Sequence, residues 1–301
     1  MSPQGRFRRG RGSAGRILFF LFLFVLVGCA PEDADSPRGV EADDDVVRLV
    51  YVEWDSEIAS THVVKAVIEE RLGLECELLP VTLTALWGSL AAGDQDATVA
   101  AWLPLQADQQ ARYGDRVVDL GPHLEGTRIG LAVPAHLPVD SIPELAGVVD
   151  RFNGKIIGIE PDAGLMRRTR RALAVYGLDG LRLISGSDST MTTILEGAMA
   201  EDRWIVVTAW TPHWMFRRWD LRYLKDPKGV YGEGGAIHTL VRQGLREDHP
   251  RVYDFLSRFR WTVRDMEQVM LWMQEEGTSP EEAARRWIGA NETQVDRWLD
   301  E

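Results

Sequence analysis

The chain has 301 residues, 45% hydrophobic and 27% charged, which leaves room for about two compact units of ordinary domain size once any targeting segment is set aside. A net charge of −12 excludes nucleic acid as a partner, because phosphate binding needs a positive footprint. Two cysteines, Cys29 and Cys76, exclude a disulfide framework.

The first residues, MSPQGRFRRGRGSAGR, carry five arginines and no acid, and the apolar run ILFFLFLFVLVG follows and ends at Cys29. A spanning helix needs roughly 20 apolar residues, so this run suits the h-region of a secretory signal. LVGC, Leu26 to Cys29, resembles the bacterial lipobox, in which small residues precede a cysteine that is lipidated and becomes the mature N-terminus. Residues 1–28 are therefore expected to be a lipoprotein signal peptide and Cys29 the lipidation site; an ordinary signal peptide that happens to contain a cysteine is the alternative. Residues 29–45, with PEDADSPRGVEADDD, are acidic and poor in large apolar side chains, which makes them a flexible tether. Removal of the signal and its five arginines takes the net charge from −12 to −17. Cys76, left without a partner, reads as a small buried hydrophobe.

From Val46 onward short β-rich runs alternate with helical segments. VVRLVYVEW predicts a strand, IASTHVVKAVIEERLG an amphipathic helix stopped at Gly73, LECELLPV a strand, TALWGSLAAG a helix, ATVAAW a strand and ADQQARYG a short helical piece. RIGLAVPAHL, with Pro134 and Pro138, marks a chain leaving one lobe. KIIGIE, LRLISGS and WIVVTAW predict further strands, separated by the helices GLMRRTRRALAVYG and TMTTILEGAMAED. AIHTLVRQGL looks like the return crossing, and four helices follow to the end. Two of them open on Ser279…Glu282 and Asn291…Gln294, the spacing of a capping box. Strands separated by helices imply parallel sheets covered on both faces. The expected organisation is a pair of α/β lobes, 46–133 with 241–301 and 134–240, joined by two crossings.

Three strands end on a tryptophan: Trp54 in LVYVEWDSE, Trp102 in AAWLP and Trp210 in IVVTAWTPHW. In open α/β sheets ligands sit beyond the carboxyl ends of the strands, so all three rings are expected to face a cleft. Aromatic faces gathered there suit a cation whose charge is spread over methyl groups. Each such contact contributes about 2 kcal/mol or less, whereas micromolar binding needs about 8 kcal/mol, so a second anchor is expected. GIEPDAGLMRRTRRAL supplies one: the strand turns through Gly164 into a helix beginning near Leu165, whose first backbone N–H groups form an anion site. Arg167 and Arg168 add positive potential, although a solvated helix face accounts for them as well. A small zwitterion with a trimethylammonium head and a carboxylate tail matches both anchors.

YVEWDSEIAST, AAWLP, GIEPDAGLM, TAWTPHWMF, DLRYLKDPK and IHTLVRQGL together resemble the substrate-binding proteins of glycine betaine ABC importers, from about Val46 to near the C-terminus. The resemblance implies a two-lobed periplasmic-binding-protein fold of type II, a Venus flytrap with two crossing segments. It implies a cage of Trp54, Trp102 and Trp210 around the quaternary ammonium, and backbone amides of Gly164 and Leu165 on the carboxylate. One departure matters: betaine binders carry a histidine five residues after the AWLP tryptophan, and here that position is Ala107. Gln106 or Gln109 then substitutes, or the ligand lacks a carboxylate, as choline does.

Asp55 and Glu57 follow a cage ring and either add negative potential or serve the start of a helix; the helix reading is preferred. His213 and Trp214 are read as supports behind Trp210, together with Gln106 and Asp55. Trp261, Trp272, Trp287 and Trp298 have apolar neighbours at helical spacing and are assigned to the core. Glu160 and Asp162 form a carboxylate pair of the kind acid–base chemistry uses, but no nucleophile elbow, metal-ligand spacing or phosphate loop accompanies them. No metal, cofactor or catalytic residue is expected. The expected protein is an exported, lipid-anchored solute-binding protein facing the periplasm or cell exterior. It would take glycine betaine, or alternatively choline, carnitine or proline betaine, and deliver it to an ABC permease and its ATPase. A receptor or structural lipoprotein and an enzyme acting on a small zwitterion are the rivals.

Overall fold

The computed structural model describes residues 46–300; the signal segment, Cys29 and the acidic tether lie outside them. Nine strands form along the chain: β1 (Val46–Tyr51), β2 (Glu75–Pro80), β3 (Ala97–Leu103), β4 (Val117–Pro134), β5 (Lys155–Ile157), β6 (Arg182–Ile184), β7 (Val207–Thr211), β8 (Leu221–Tyr223) and β9 (Gly235–Arg242). The helices are α1 (Asp55–Val67), α2 (Leu83–Ala92), α3 (Ala107–Tyr113), α4 (Gly164–Tyr176), α5 (Asp188–Ala200), α6 (Met215–Arg218), α7 (Leu245–Asp248), α8 (Pro250–Arg258), α9 (Val263–Met273), α10 (Pro280–Ala290) and α11 (Glu292–Leu299). None among the described residues is long and apolar enough to cross a membrane.

The strands make one continuous path, β2-β1-β3-β9-β4-β7-β5-β6, with β8 on the edge of β4. β1 is parallel to β2 and β3, and β5 is parallel to β6 and β7. These are the βα units that the alternation predicts. Between the two parallel groups run the antiparallel strands β9 and β4. β4 pairs with β9 from Val117 to Thr127 and with β7 from Arg128 to Ala132, so a single strand serves both halves of the sheet. Its partner changes ahead of Pro134, the residue at which the sequence marks the crossing. The pattern over 117–127 is hard to read because Gly121, Pro122 and Gly126 interrupt it and the ladder with β9 shifts register repeatedly. On the return, Gly234 has φ +101°, and a Cβ there would lie 2.3 Å from the carbonyl oxygen of Thr127. Only glycine lets the two crossing segments approach so closely.

Local signals act as expected at most helix ends. Gly73 ends the π-turn that follows α1 with φ 73°, the left-handed conformation glycine adopts without cost. Ser279 and Glu282 make the capping box of α10. Asn291 and Gln294 do not make one: the Asn291 amide donates to the carbonyl of Trp287 and so closes α10 instead of opening α11. A capping box that the Ser/Thr…Glu/Gln pattern misses opens α9, where Asp265 takes the place of the longer acid behind Thr262.

The C-terminal helices α9 and α10 pack on α1. Trp261, Trp287 and Trp298 are buried there with Phe255 and Phe259, and Trp287 stacks on Trp298 at 5.7 Å. Trp272 packs at the margin of the core: it is partly exposed, and Arg286 lies 4.2 Å over its ring. Cys76 is buried and unpaired, and burial pushes its thiol up to about 12.

Candidate ligand-binding site

The three strand-end tryptophans reach one cavity by three local routes. After β1 the backbone folds back, Trp54 N–H donating to Val52 at 2.8 Å, and Trp54 itself is the extended residue before α1. Trp102 sits on β3 opposite Ile237, and Trp210 on β7 opposite Ile129. The cavity is lined by these rings, by Leu105, Ile129 and Ile159, and by Gly164 and Leu165 in the first turn of α4. The rings are only 7, 4 and 3% exposed, so little of their faces is open to bulk solvent. The amides of Gly164 and Leu165 donate to no other group among the described residues, as the first N–H groups of a helix do. Gly164 is required for another reason: a Cβ there would lie 2.7 Å from Leu105 Cγ.

Behind the rings stand carboxyl groups. Trp102 Nε1–H donates to Glu57 at 2.6 Å and Trp54 Nε1–H donates to Glu160 at 2.8 Å, while Trp210 Nε1–H has no partner. Burial pushes Glu57 up to about 7 against the pull of its hydrogen bonds from Trp102 and Ser56, and burial likewise raises Glu160. Asp55 accepts from Trp214 Nε1–H and Gln274, and its own N–H donates to Asp188 at 3.0 Å. Burial, and secondarily the Asp188 carboxylate, push Asp55 up to about 6. Both acids lie in the first turn of α1, as the helix-start reading expects, but neither caps it; each also accepts an indole hydrogen bond.

His213 is fully buried edge-on to Trp210, at 4.5 Å and 83°. Its Nδ1 accepts from Met215 N–H at 3.2 Å, so its Nε2–H faces Asp188 at 3.1 Å. Gln106 lines the cavity, but its amide is committed to the wall: the oxygen accepts from Trp87 at 2.9 Å and the nitrogen donates to Ala100 at 3.2 Å. Ala107 lies outside the cage, exposed at the start of α3, in a neighbouring cavity it shares with Gly164, Arg167 and Arg168. Ile129, Ile159, Leu105 and Trp87 carry no signal that would separate them from core in the sequence. Glu160 belongs with Trp54, and Asp162 is exposed, so the two do not form an acid–base pair.

The family model for the substrate-binding domain of ABC-type glycine betaine transport systems matches residues 45–290. The chain belongs to this family. A curated relative, the glycine betaine/carnitine transport binding protein GbuC of Listeria monocytogenes serotype 1/2a (strain 10403S), is 46% identical over 165 residues, 54% of either chain. The chain thus spans about half the length of the curated relative it matches. Lactococcal OpuAC, solved closed with glycine betaine, superposes with a TM-score of 0.80 at 40% identity over 85% of this chain and all of that one. ProX of Borrelia burgdorferi gives 0.80 at 34% identity over 85% and 97%. A choline-binding ABC-transporter protein in complex with choline gives 0.78 at 26% identity over 85% and 91%. The fold of this family member is accordingly the type II periplasmic-binding-protein fold that the motifs predict, and its homologues are transport substrate-binding proteins.

Proposed function

We propose that the protein is the extracytoplasmic binding component of an ABC importer and encloses a quaternary ammonium solute, glycine betaine first, between two lobes. One observation carries this: Trp54, Trp102 and Trp210, from three separate strand ends, line a single cavity that also contains the unpaired amides of α4. The rings suit the methylated cation and the helix N-terminus suits a carboxylate. Gly164 and Leu165 supply the second anchor that cation–π contacts alone would leave wanting. Choline, carnitine and proline betaine are the alternative ligands, and choline is favoured if Ala107 leaves the carboxylate end underbound.

The lobes are residues 46–133 with 241–301, and 134–240. The strand pairing supports hinges slightly earlier in each crossing, near Thr127–Arg128 and Gly234–Gly235. Trp54 and Trp102 then belong to one lobe and Trp210, Gly164 and Leu165 to the other, so a ligand stabilises the shut form by contacts the open form lacks. The hydrogen bonds Trp54–Glu160, Asp55–Asp188 and Trp214–Asp55 cross the same boundary. The protein returns its ligand unchanged and is not an enzyme. It is anchored outside the cytoplasm through a lipid on Cys29 and hands its cargo to a permease driven by an ATPase.

Calorimetric titration of the protein with glycine betaine, choline, carnitine and proline betaine tests this reading. Saturable binding of at least one, with the ligand recovered intact, is expected. Silence toward all methylammonium compounds would return the protein to the receptor or structural class, and product formation to the enzymes.

A further inference from the structure

We propose that Glu57 charges the cage from behind: its carboxylate, bonded to the indole of Trp102, makes that ring a stronger host for a cation, and a proton leaves Glu57 as the cation arrives. The inference rests on the cage reading above. Glu57 is fully buried. Its Oε1 accepts from Trp102 at 2.6 Å and from the Ser56 hydroxyl at 3.0 Å, while Oε2 has no partner. Among the described residues no lysine or arginine pairs with it.

A buried carboxylate with one unsatisfied oxygen is costly unless a proton or a positive charge relieves it. Trp102 touches both sites: its indole N–H meets Glu57 and its ring lines the cavity in which a cation would sit. Through this buried wall the two charges attract with little screening, and a charged acceptor at the indole N–H strengthens that hydrogen bond and deepens the negative face of the ring. Burial pushes Glu57 up to about 7, so near neutral pH this carboxyl stands between its two charge states. A cation favours the ionised form and lowers that value. Binding therefore releases protons and tightens as pH rises through about 7.

The charged groups around Glu57 are few. Asp188 of α5 opposes its ionisation, and Asp188 is in turn bonded to His213 and to the backbone of Asp55. Glu267 of α9 faces His213, and Glu160 is tied to Trp54. The effect is larger for a net cation than for a zwitterion, because the Glu57 charge repels the ligand's own carboxylate while attracting its ammonium.

The test is the dissociation constant of choline and of glycine betaine from about pH 5.5 to about 8.5, over which neither ligand changes charge. Wild type, Glu57→Gln and Trp102→Phe are compared, the last keeping a ring without the N–H. Wild-type affinity for choline is expected to rise roughly tenfold across the range, with a smaller rise for glycine betaine. Glu57→Gln should lose most of that slope and bind at high pH like wild type at low pH; Trp102→Phe should flatten it as well. Parallel profiles for wild type and Glu57→Gln overturn the proposal. Calorimetry of wild type near pH 7 in two buffers of different ionisation heat needs no variant: a fractional proton release is expected, and none overturns the proposal. Failure of both ligands at every pH overturns the cage reading itself, and this inference with it.

Discussion

At the scale of single residues, eleven tryptophans divide by what their rings touch. Trp54→Ala, Trp102→Ala or Trp210→Ala should each weaken ligand binding by about 1–2 kcal/mol or more, read by calorimetric titration. Trp298, buried against Phe259 and Trp287, behaves oppositely: Trp298→Ala should cost about 3–5 kcal/mol of stability in a denaturant melt and leave the affinity of the folded protein nearly intact. Glu57 makes a distinct prediction for the empty protein. Its folded value of about 7 against an ordinary 4.5 means the folded state holds more protons than the unfolded one between those values. Its contribution to stability is therefore lost as pH rises through that window. Glu57→Gln removes this loss, on the order of 3 kcal/mol, and should make the ligand-free protein melt higher than wild type at pH 8 but not at pH 4. A binding site that stabilises its guest with a buried charge destabilises its own empty form.

At the scale of elements, α4 shows how a helix start becomes a site. Ala163 is extended ahead of it with no side-chain cap, so no protein side chain competes for the amides of Gly164 and Leu165. Gly164→Ala would bring a methyl against Leu105, whose side chain lines the same cavity. It should weaken glycine betaine about tenfold or more and also lower the melting temperature, because Leu105 must shift, so affinity is read by titration at a temperature where the variant is folded. The C-terminal helices depend on ordinary caps. Ser279→Ala removes the reciprocal bonds at the start of α10 and should cost about 1 kcal/mol in a urea melt. Asn291→Ala should cost less, because its amide holds only the carbonyl of Trp287.

At the scale of the whole molecule, the two parallel halves are joined through β4 and β9, and few side chains bridge them at the cage. Trp54 and Asp55 reach Glu160, Asp188 and Trp214 beside the cavity. Small-angle scattering should show a smaller radius of gyration on adding saturating glycine betaine, and Trp102→Ala should need a correspondingly higher concentration for the same decrease. An unchanged radius in the wild type would contradict closure by ligand.

The α/β class, most helix ends and the three strand-end tryptophans were readable in the chain because each is a local signal: a period, a cap, or an aromatic at the end of a strand. The helix start at Gly164 and Leu165 was readable for the same reason, since a strand, a turn and a helix follow one another directly. The indole partners of Asp55, Glu57 and Glu160 were not, because an acid near a helix start looks the same whether it faces water or an indole N–H. Which it does depends on a partner distant along the chain: residue 102 for Glu57, residue 54 for Glu160, residue 214 for Asp55. The sequence by itself determined which groups could hold a methylated cation and an anion. Only the tertiary structure decided that they share one cavity and that carboxyls stand behind two of the rings, because long-range strand pairing sets distances that no local pattern encodes.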